Sequence, residues 1–250
     1  MRPIGFSTGA LARGDFRSAL EQLRESRIDV VELSALRISE LAPLVAAIGD
    51  LDLQDFSFVS IHAPSSFPQD LERTVLDQLS LLARHGFPVV VHPDVIFSPQ
   101  AWEELGDRLL IENMDKRKPT GRNVLELEPL FDALPRAQFC FDIGHARQVD
   151  PSMTEASLLL RAFSARLAEV HISEVNTASR HDPISRNAVR AFQTVERYIP
   201  CNVPIVLETL IADRQSSIAA EVQRARESLS ELGEVAVEAF EGNGEFSAVQ

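Results

Sequence analysis

A chain of 250 residues, with 45% hydrophobic and 24% charged residues, has the size and balance of one large globular domain that needs no disulfide to hold its core. A formal net charge of −13 argues against broad, nonspecific binding to nucleic acid. No window approaches the roughly 18 uninterrupted apolar residues of a membrane span, and no secretory leader pattern opens the chain, so a cytoplasmic protein without a membrane partner is expected.

Strand-like and helix-like stretches alternate along the chain. Ile4–Ser7 is the first apolar run. Phe16–Ser26 follows as an amphipathic helix, with Phe16, Leu20 and Leu23 on one face and Asp15 at its N-cap. Val30–Leu33 is a strand and Leu41–Ile48 a short helix. Phe58–His62 is a strand, and Leu71–His85 places Leu71, Val75, Leu79 and Leu82 on one helical face. Strands at Val89–His92, Leu109–Glu112 and Phe139–Asp142 are separated by shorter helices at Gln100–Leu105 and Leu125–Leu134. Met153–Phe163, Ala188–Tyr198 and Ile218–Leu232 read as helices, with strands at Ala168–Ile172 and Pro204–Leu207 between them.

Short runs rich in Val, Ile, Leu and Phe suit parallel strands buried on both faces. Strand then helix, about eight times, predicts a single (β/α)8 TIM barrel of parallel strands with outer helices over residues 1–232. Residues 233–250, with four glutamates and three glycines, form a mobile tail or a small capping element. An open doubly wound sheet is the competing architecture. It would want a glycine fingerprint for phosphate, and neither GxGxxG nor GxxxxGK[ST] occurs.

Nearly every strand ends in a side chain that can ligate a metal. His62 closes FVSIH, His92 closes VVVH, Glu112 closes LLIE, Asp142 closes FCFD with His145 three residues on, His171 closes AEVH and Glu208 closes PIVLE. In a (β/α)8 barrel all strand C-termini point to one face, where the active site sits. Glu112, Asp142, His171 and Glu208 form the inner metal set. Buried charges without partners are costly, and a cation neutralises several at once. Carboxylates with an imidazole suit Mn²⁺ or Zn²⁺, with Co²⁺ or Mg²⁺ also accommodated. Gly144 lets the chain turn sharply after Asp142 and present His145 to the same pocket. His62, His92, His145 and His181 are additional metal or substrate contacts. Glu32 is an outer contact of the metal or a contact of the substrate, and Asp94 is a further strand-end acid.

The remaining residues divide more simply. His85 lies at a helix C-terminus, where the dipole and the following glycine explain it. Trp102 reads as helix packing and Cys140 as core; Cys140 and Cys201 fit no metal or disulfide spacing. Basic residues gather in loops after the ligands: Lys116, Arg117, Lys118 and Arg122 after Glu112, Arg147 after His145, and Arg180 and Arg186 around His181. Lys116, Arg147 and Arg180 are expected to attract an anionic substrate at the barrel mouth.

The set Glu112, Asp142-x-x-His145, His171 and Glu208 resembles the xylose isomerase-like TIM-barrel superfamily, over nearly the whole chain. That group includes sugar and sugar-phosphate isomerases and epimerases, and apurinic/apyrimidinic endonucleases of the endonuclease IV type. The resemblance implies that Glu112, Asp142, His171 and Glu208 hold a divalent metal. It implies that Glu112 and Glu208 act as an acid/base pair on a small carbohydrate or sugar phosphate, by proton transfer through an enediolate. In the endonuclease branch, the positions of His62, His92, His145 and His181 join them to bind three zinc ions for phosphodiester hydrolysis. Ser179 stands where that branch has an aspartate, with Asp182 on the other side of His181. The isomerase or epimerase is the first expectation and the zinc phosphodiesterase the alternative. A homodimer remains open.

Overall fold

The computed structural model describes residues 2–211 and 214–229. The proposed tail at 233–250 and the last residues of the helix expected to reach Leu232 lie outside them.

Eight strands close into a ring. They are β1 (Ile4–Ser7), β2 (Val30–Ser34), β3 (Phe58–His62), β4 (Val89–Val91), β5 (Leu109–Glu112), β6 (Gln138–Asp142), β7 (Leu167–Ile172) and, after two very short strands, β10 (Ile205–Leu207). Every neighbouring pair is parallel. The ring closes at β1, where Ile4 lies opposite Ile205 and Phe6 opposite Val31. The two short strands, β8 (Glu174–Val175) and β9 (His181–Asp182), form an antiparallel ladder above β7.

The helices follow the strands in order: α1 (Thr8–Ala12) and α2 (Phe16–Glu25), α3 (Ile38–Ala47), α4 (Glu72–Ala83), α5 (Pro99–Trp102), α6 (Val124–Ala133), α7 (Ile143–Val149) and α8 (Thr154–Ala162), α9 (Arg186–Gln193), and α10 (Arg214–Ser228). This is the (β/α)8 TIM barrel expected from the alternation. Asp15 caps α2, its carboxylate accepting from the Ser18 N–H at 3.0 Å.

The main core lies between the ring and its helices. Val89, Val91, Ile111, Phe139 and Phe141 face outward into it. Their strand neighbours Val90, Leu110 and Cys140 form a separate small apolar plug inside the ring. Successive side chains along a strand take opposite faces, so the residues two beyond Val90, Leu110 and Cys140 again face inward. Those residues are His92, Glu112 and Asp142. The period of two that builds the plug also lifts the ligands above it.

Several boundaries differ from expectation. β4 ends at Val91, so His92 stands just beyond it with extended backbone (φ −69°, ψ 136°), as the following proline favours. The helix expected over Gln100–Leu105 is the single turn of α5 followed by a 3₁₀ run, Glu103–Arg108. The helix expected over Ala188–Tyr198 is α9 followed by a 3₁₀ turn, Glu196–Tyr198. Neither α1, α7 nor the β8–β9 ladder was anticipated. Each is too short to show a hydrophobic period.

The segment after Asp142 needs the clearest correction. No sharp turn opens at Gly144; α7 begins directly after β6 and carries His145 on its first turn. Gly144 is needed for closeness instead. A Cβ there would lie 2.5 Å from the Ser173 carbonyl oxygen at the end of β7.

Candidate metal centre

Glu112, fully buried at the end of β5, is the hub of the site. Its Oε2 lies 3.3 Å from His62 Nε2 and 3.2 Å from His92 Nε2. Its Oε1 lies 3.3 Å from His171 Nδ1 and 3.5 Å from His145 Nδ1. One carboxylate therefore faces four imidazoles, delivered by β3, the residue after β4, α7 and β7.

The remaining candidate ligands close around it. Glu208, the residue after β10, places Oε1 3.6 Å from His171 Nδ1 and Oε2 3.3 Å from His181 Nδ1. Asp142 Oδ2 lies 3.4 Å from His145 Nδ1, while Oδ1 caps α7 by accepting from the His145 N–H at 2.6 Å. Asn113 holds that corner. Its side chain takes the Asp142 N–H and gives a hydrogen bond to the Asp142 carbonyl, both at 2.8 Å.

For His62 and His171, hydrogen bonds on the side of the ring away from Glu112 fix what the ring presents to the centre. His62 Nδ1 lies 2.8 Å from the Ala63 carbonyl, which can only accept, so Nδ1 carries a proton. His171 Nε2 lies 3.3 Å from Glu169 Oε1, an oxygen that already accepts from the Ser60 hydroxyl at 2.9 Å; His171 therefore donates there. His145 Nδ1 donates to the Asn113 carbonyl at 3.0 Å. In their neutral forms, His62 and His171 then aim bare lone pairs at Glu112 oxygens 3.3 Å away. Acceptor against acceptor at that distance is repulsive. A second proton on each ring relieves it, and so does a cation between the two groups. An imidazole whose other N–H is held by an acceptor is the usual state of a metal-ligating histidine.

Four overlapping donor groups result among the described residues, each with its ligand atoms within 4.8 Å of one another: His62–His92–Glu112, Glu112–Asp142–His171–Glu208, Asp142–His145–His181 and, deeper in the ring, Glu32–His62–His171. The first three each include side chains that line the pocket, whereas Glu32 does not reach it. Glu112 and Asp142 are each shared by two groups. Asp142 Oδ2 and His92 Nδ1 are buried without a hydrogen-bond partner. An orphaned carboxylate oxygen among imidazoles and a second carboxylate is the chemistry of a divalent cation site, so the residues fit the metal that the resemblance implied.

Without a cation the cluster balances itself with protons. Burial alone would lower His62, but the carboxylates of Glu32 and Glu112 outweigh it and lift the ring to about 9. Burial likewise opposes the protonation of His171 and His145, and the surrounding carboxylates raise both. Burial would raise Glu112, yet His171 and its other imidazole neighbours hold it well below the ordinary glutamate value. Burial pushes Glu208 up to about 8, with Glu112 and Asp142 adding to the rise against the opposing pull of His171. Burial and the nearby His145 hold His181 at about 4.

The centre opens into a pocket of about 370 Å³. Leu36, Met114 and Leu210 line one part of it, and Arg117, Lys118 and Arg180 another. Of the three basic residues expected at the mouth, Arg180 lines this pocket. Lys116 and Arg147 line an adjoining groove instead, and Arg147 is tied to Glu174 at 2.9 Å. Lys118 is held by Asp94 at 2.9 Å, which gives Asp94 a pairing role. Arg122 pairs with Glu126. His85 is exposed and stacks on Phe87, away from the site.

Glu32 is fully buried and reaches His171 from below, with Oε2 3.2 Å from Nε2; it is an outer contact of the site and does not line the pocket. Sequence reasoning missed Glu169, Asn113 and Asp115. Glu169 stands two residues before His171, the spacing that places both inside the ring. Asp115 lines the pocket near Ser179, and its charge is favoured by the Arg117 N–H and by His145 against the opposing effect of burial.

No family model matches the chain, and no curated protein matches its sequence. Solved structures do match in shape. Endonuclease IV from Thermus thermophilus superposes with a TM-score of 0.60 at 21% identity, over 92% of this chain and 100% of that one. A xylose isomerase domain protein from Alicyclobacillus acidocaldarius gives 0.63 at 14% identity, over 92% and 98%. A xylose isomerase-like TIM barrel protein from Mycobacterium smegmatis, in complex with magnesium, gives 0.58 at 14% identity, over 92% and 98%. The chain shares the TIM-barrel fold of these proteins.

Proposed function

We propose that this barrel, with the xylose isomerase-like fold, is a divalent-metal-dependent hydrolase of phosphoesters. The observation that carries the reading is the sharing of Glu112 and Asp142 among three adjacent donor groups. That arrangement suits a cluster of cations better than a single one.

Divalent ions in such a cluster acidify a water molecule and neutralise charge on a phosphoryl group. His62, His92 and Glu112 would hold one ion. Glu112, Asp142, His171 and Glu208 would hold a second, and Asp142, His145 and His181 a third. The pocket above them is of a size that takes a nucleotide-like or sugar phosphate ester. Arg180, whose guanidinium pairs with no carboxylate among the described residues, is the cation best placed to attract the ester's remaining charge. The chain's net charge of −13 favours such a small substrate over a long stretch of DNA.

A second reading, sugar or sugar-phosphate isomerisation or epimerisation, is favoured by one feature. Glu112 and Glu208 flank the same nitrogen of His171, at 3.3 and 3.6 Å. Two carboxylates so placed could exchange a proton with adjacent carbons of a sugar. Against it, both oxygens of Glu112 face imidazoles, which leaves little of that carboxylate to act as a base.

Counting ions separates the readings. The protein loaded with Zn²⁺ or Mn²⁺ should carry about three ions per chain, one for each of the three donor groups built on Glu112 and Asp142. It should cleave bis(p-nitrophenyl) phosphate or an abasic duplex, with cleavage abolished in His92→Ala. A single ion per chain, with no phosphoester cleaved and a sugar isomerised by the same preparation, would overturn hydrolysis in favour of the second reading.

A further inference from the structure

Beneath the three donor groups built on Glu112 and Asp142, inside the ring, lie two glutamates that touch neither the pocket nor any solvent; one of them, Glu32, also stands within ligand distance of His62 and His171. Glu32 on β2 and Glu169 on β7 are both fully buried. Both converge on the lower nitrogen of His171. Nε2 donates to Glu169 Oε1 at 3.3 Å, and Glu32 Oε2 stands 3.2 Å away, off the hydrogen-bond direction. The upper nitrogen of the same ring faces Glu112 and Glu208. The floor therefore sets which face of His171 meets the donor group above.

Hydroxyls hold this floor in place. Ser60 on β3 donates to Glu169 Oε1 at 2.9 Å. Ser34 on β2 donates to Glu32 Oε1 at 3.2 Å and lies 2.6 Å from the hydroxyl of Ser7, which lines the pocket. Even so, Glu32 Oε2 and Glu169 Oε2 make no hydrogen bond. Half-satisfied carboxylates beside the apolar plug of Val90, Leu110 and Cys140 are a poor way to stabilise a barrel. Their presence calls for another reason.

We propose that Glu32 and Glu169 are positioning residues for the metal centre: they fix the ring orientation of His171 and increase its electron donation toward a bound cation. The inference rests on the metal reading of the donor groups and on neither choice of reaction. A carboxylate behind a ligating histidine locks the ring and makes its other nitrogen a stronger base, and losing such a partner typically weakens metal binding by about 10–100-fold. Two carboxylates behind one ring make this position the most strongly supported imidazole of the centre. Burying the second carboxylate is then the cost of holding a cation rather than of holding the fold.

The test uses the full-length protein and the ions Zn²⁺ and Co²⁺ alone. Affinity is measured by competition with a chromophoric chelator, alongside the visible spectrum of the Co²⁺ form and the melting temperature of the metal-free form. Glu169→Gln and Glu32→Gln keep the shape and remove the charge. Each should lose about 10–100-fold in affinity and shift the Co²⁺ bands, while the metal-free melting temperature holds or rises. Ser60→Ala, which frees Glu169 without touching its charge, should give a smaller loss and guards against a variant that fails to fold. Affinities within about twofold of the parent overturn the proposal. So does a loss that only tracks a fall in metal-free stability, because that marks a structural role. A parent protein that takes up no ion is a different result, and overturns the metal reading underneath.

Discussion

The Glu72 side chain is 6% exposed, and its Oε1 accepts from the Phe97 N–H at 2.7 Å, the Ser98 N–H at 2.9 Å and Trp102 Nε1 at 2.8 Å. It ties the start of α4 to the loop before α5. Burial alone would raise its pKa, but the donors from Trp102, Ser98 and Phe97 outweigh that and lower it. The stability it adds is therefore fully present above the ordinary glutamate value of 4.5 and is lost as pH falls through the lower folded value. Glu72→Ala should destabilise the protein by about 1–3 kcal/mol at neutral pH, with a smaller difference from the parent in acid. Denaturant melts of both proteins across that range check this, and a constant difference would show that the charge does not matter. Glu72 contrasts with Asp142, Glu32 and Glu169. Those are fully buried, and each keeps a buried oxygen without a partner.

The strands and helices place the site by different means. A strand positions a ligand by alternation, so Glu112 and Asp142 follow from Leu110 and Cys140 two residues earlier. His145 depends instead on α7 pressing against the end of β7. Gly144→Ala would set a Cβ 2.5 Å from the Ser173 carbonyl oxygen and force the two apart. Overpacking of this kind typically costs about 1–3 kcal/mol. The expected result is a lower melting temperature together with weaker metal uptake, because His145 moves with its helix. An unchanged melting temperature would show that the helix can shift freely. The β8–β9 ladder acts as a third device. It brings His181 back over Glu208, and Ser173 Oγ holds the ring at 2.8 Å.

At the scale of the whole molecule, the acid-rich centre couples stability to pH and to metal. In the metal-free protein His62 is raised from 6.5 to about 9, and Glu208 from 4.5 to about 8. A raised group contributes stability that is present below its unfolded value and lost as pH rises through the folded one. The Glu208 share is lost between pH 4.5 and 8 and the His62 share between pH 6.5 and 9, so both fall together, and the metal-free protein should lose stability, between pH 6.5 and 8. Bound cations replace those protons. Loading should flatten the profile and stabilise the fold by about 2.7 kcal/mol at a hundredfold excess over Kd. Melting curves with chelator and with Zn²⁺ at several pH values read this directly. Coincident curves would mean that no cation binds the folded centre. Among the described residues, no helix is long and apolar enough to cross a membrane.

The sequence alone determined the barrel and the polar side chains that stand at its strand ends. Runs such as VVVH and LLIE carry both the strand and the ligand at its end, and a closed parallel ring sends every such end to one face. It did not disclose that His62 and His92 aim at the same oxygen of Glu112, that Lys116 and Arg147 fall outside the pocket, or that Gly144 serves contact instead of a turn. It also passed over Glu169, whose significance depends on β2 and β3 meeting β7 across the inside of the ring. Local patterns encode which face of a strand a side chain takes. Which side chains then meet is settled by the register of strands far apart in the chain, and only the closed tertiary structure fixes that.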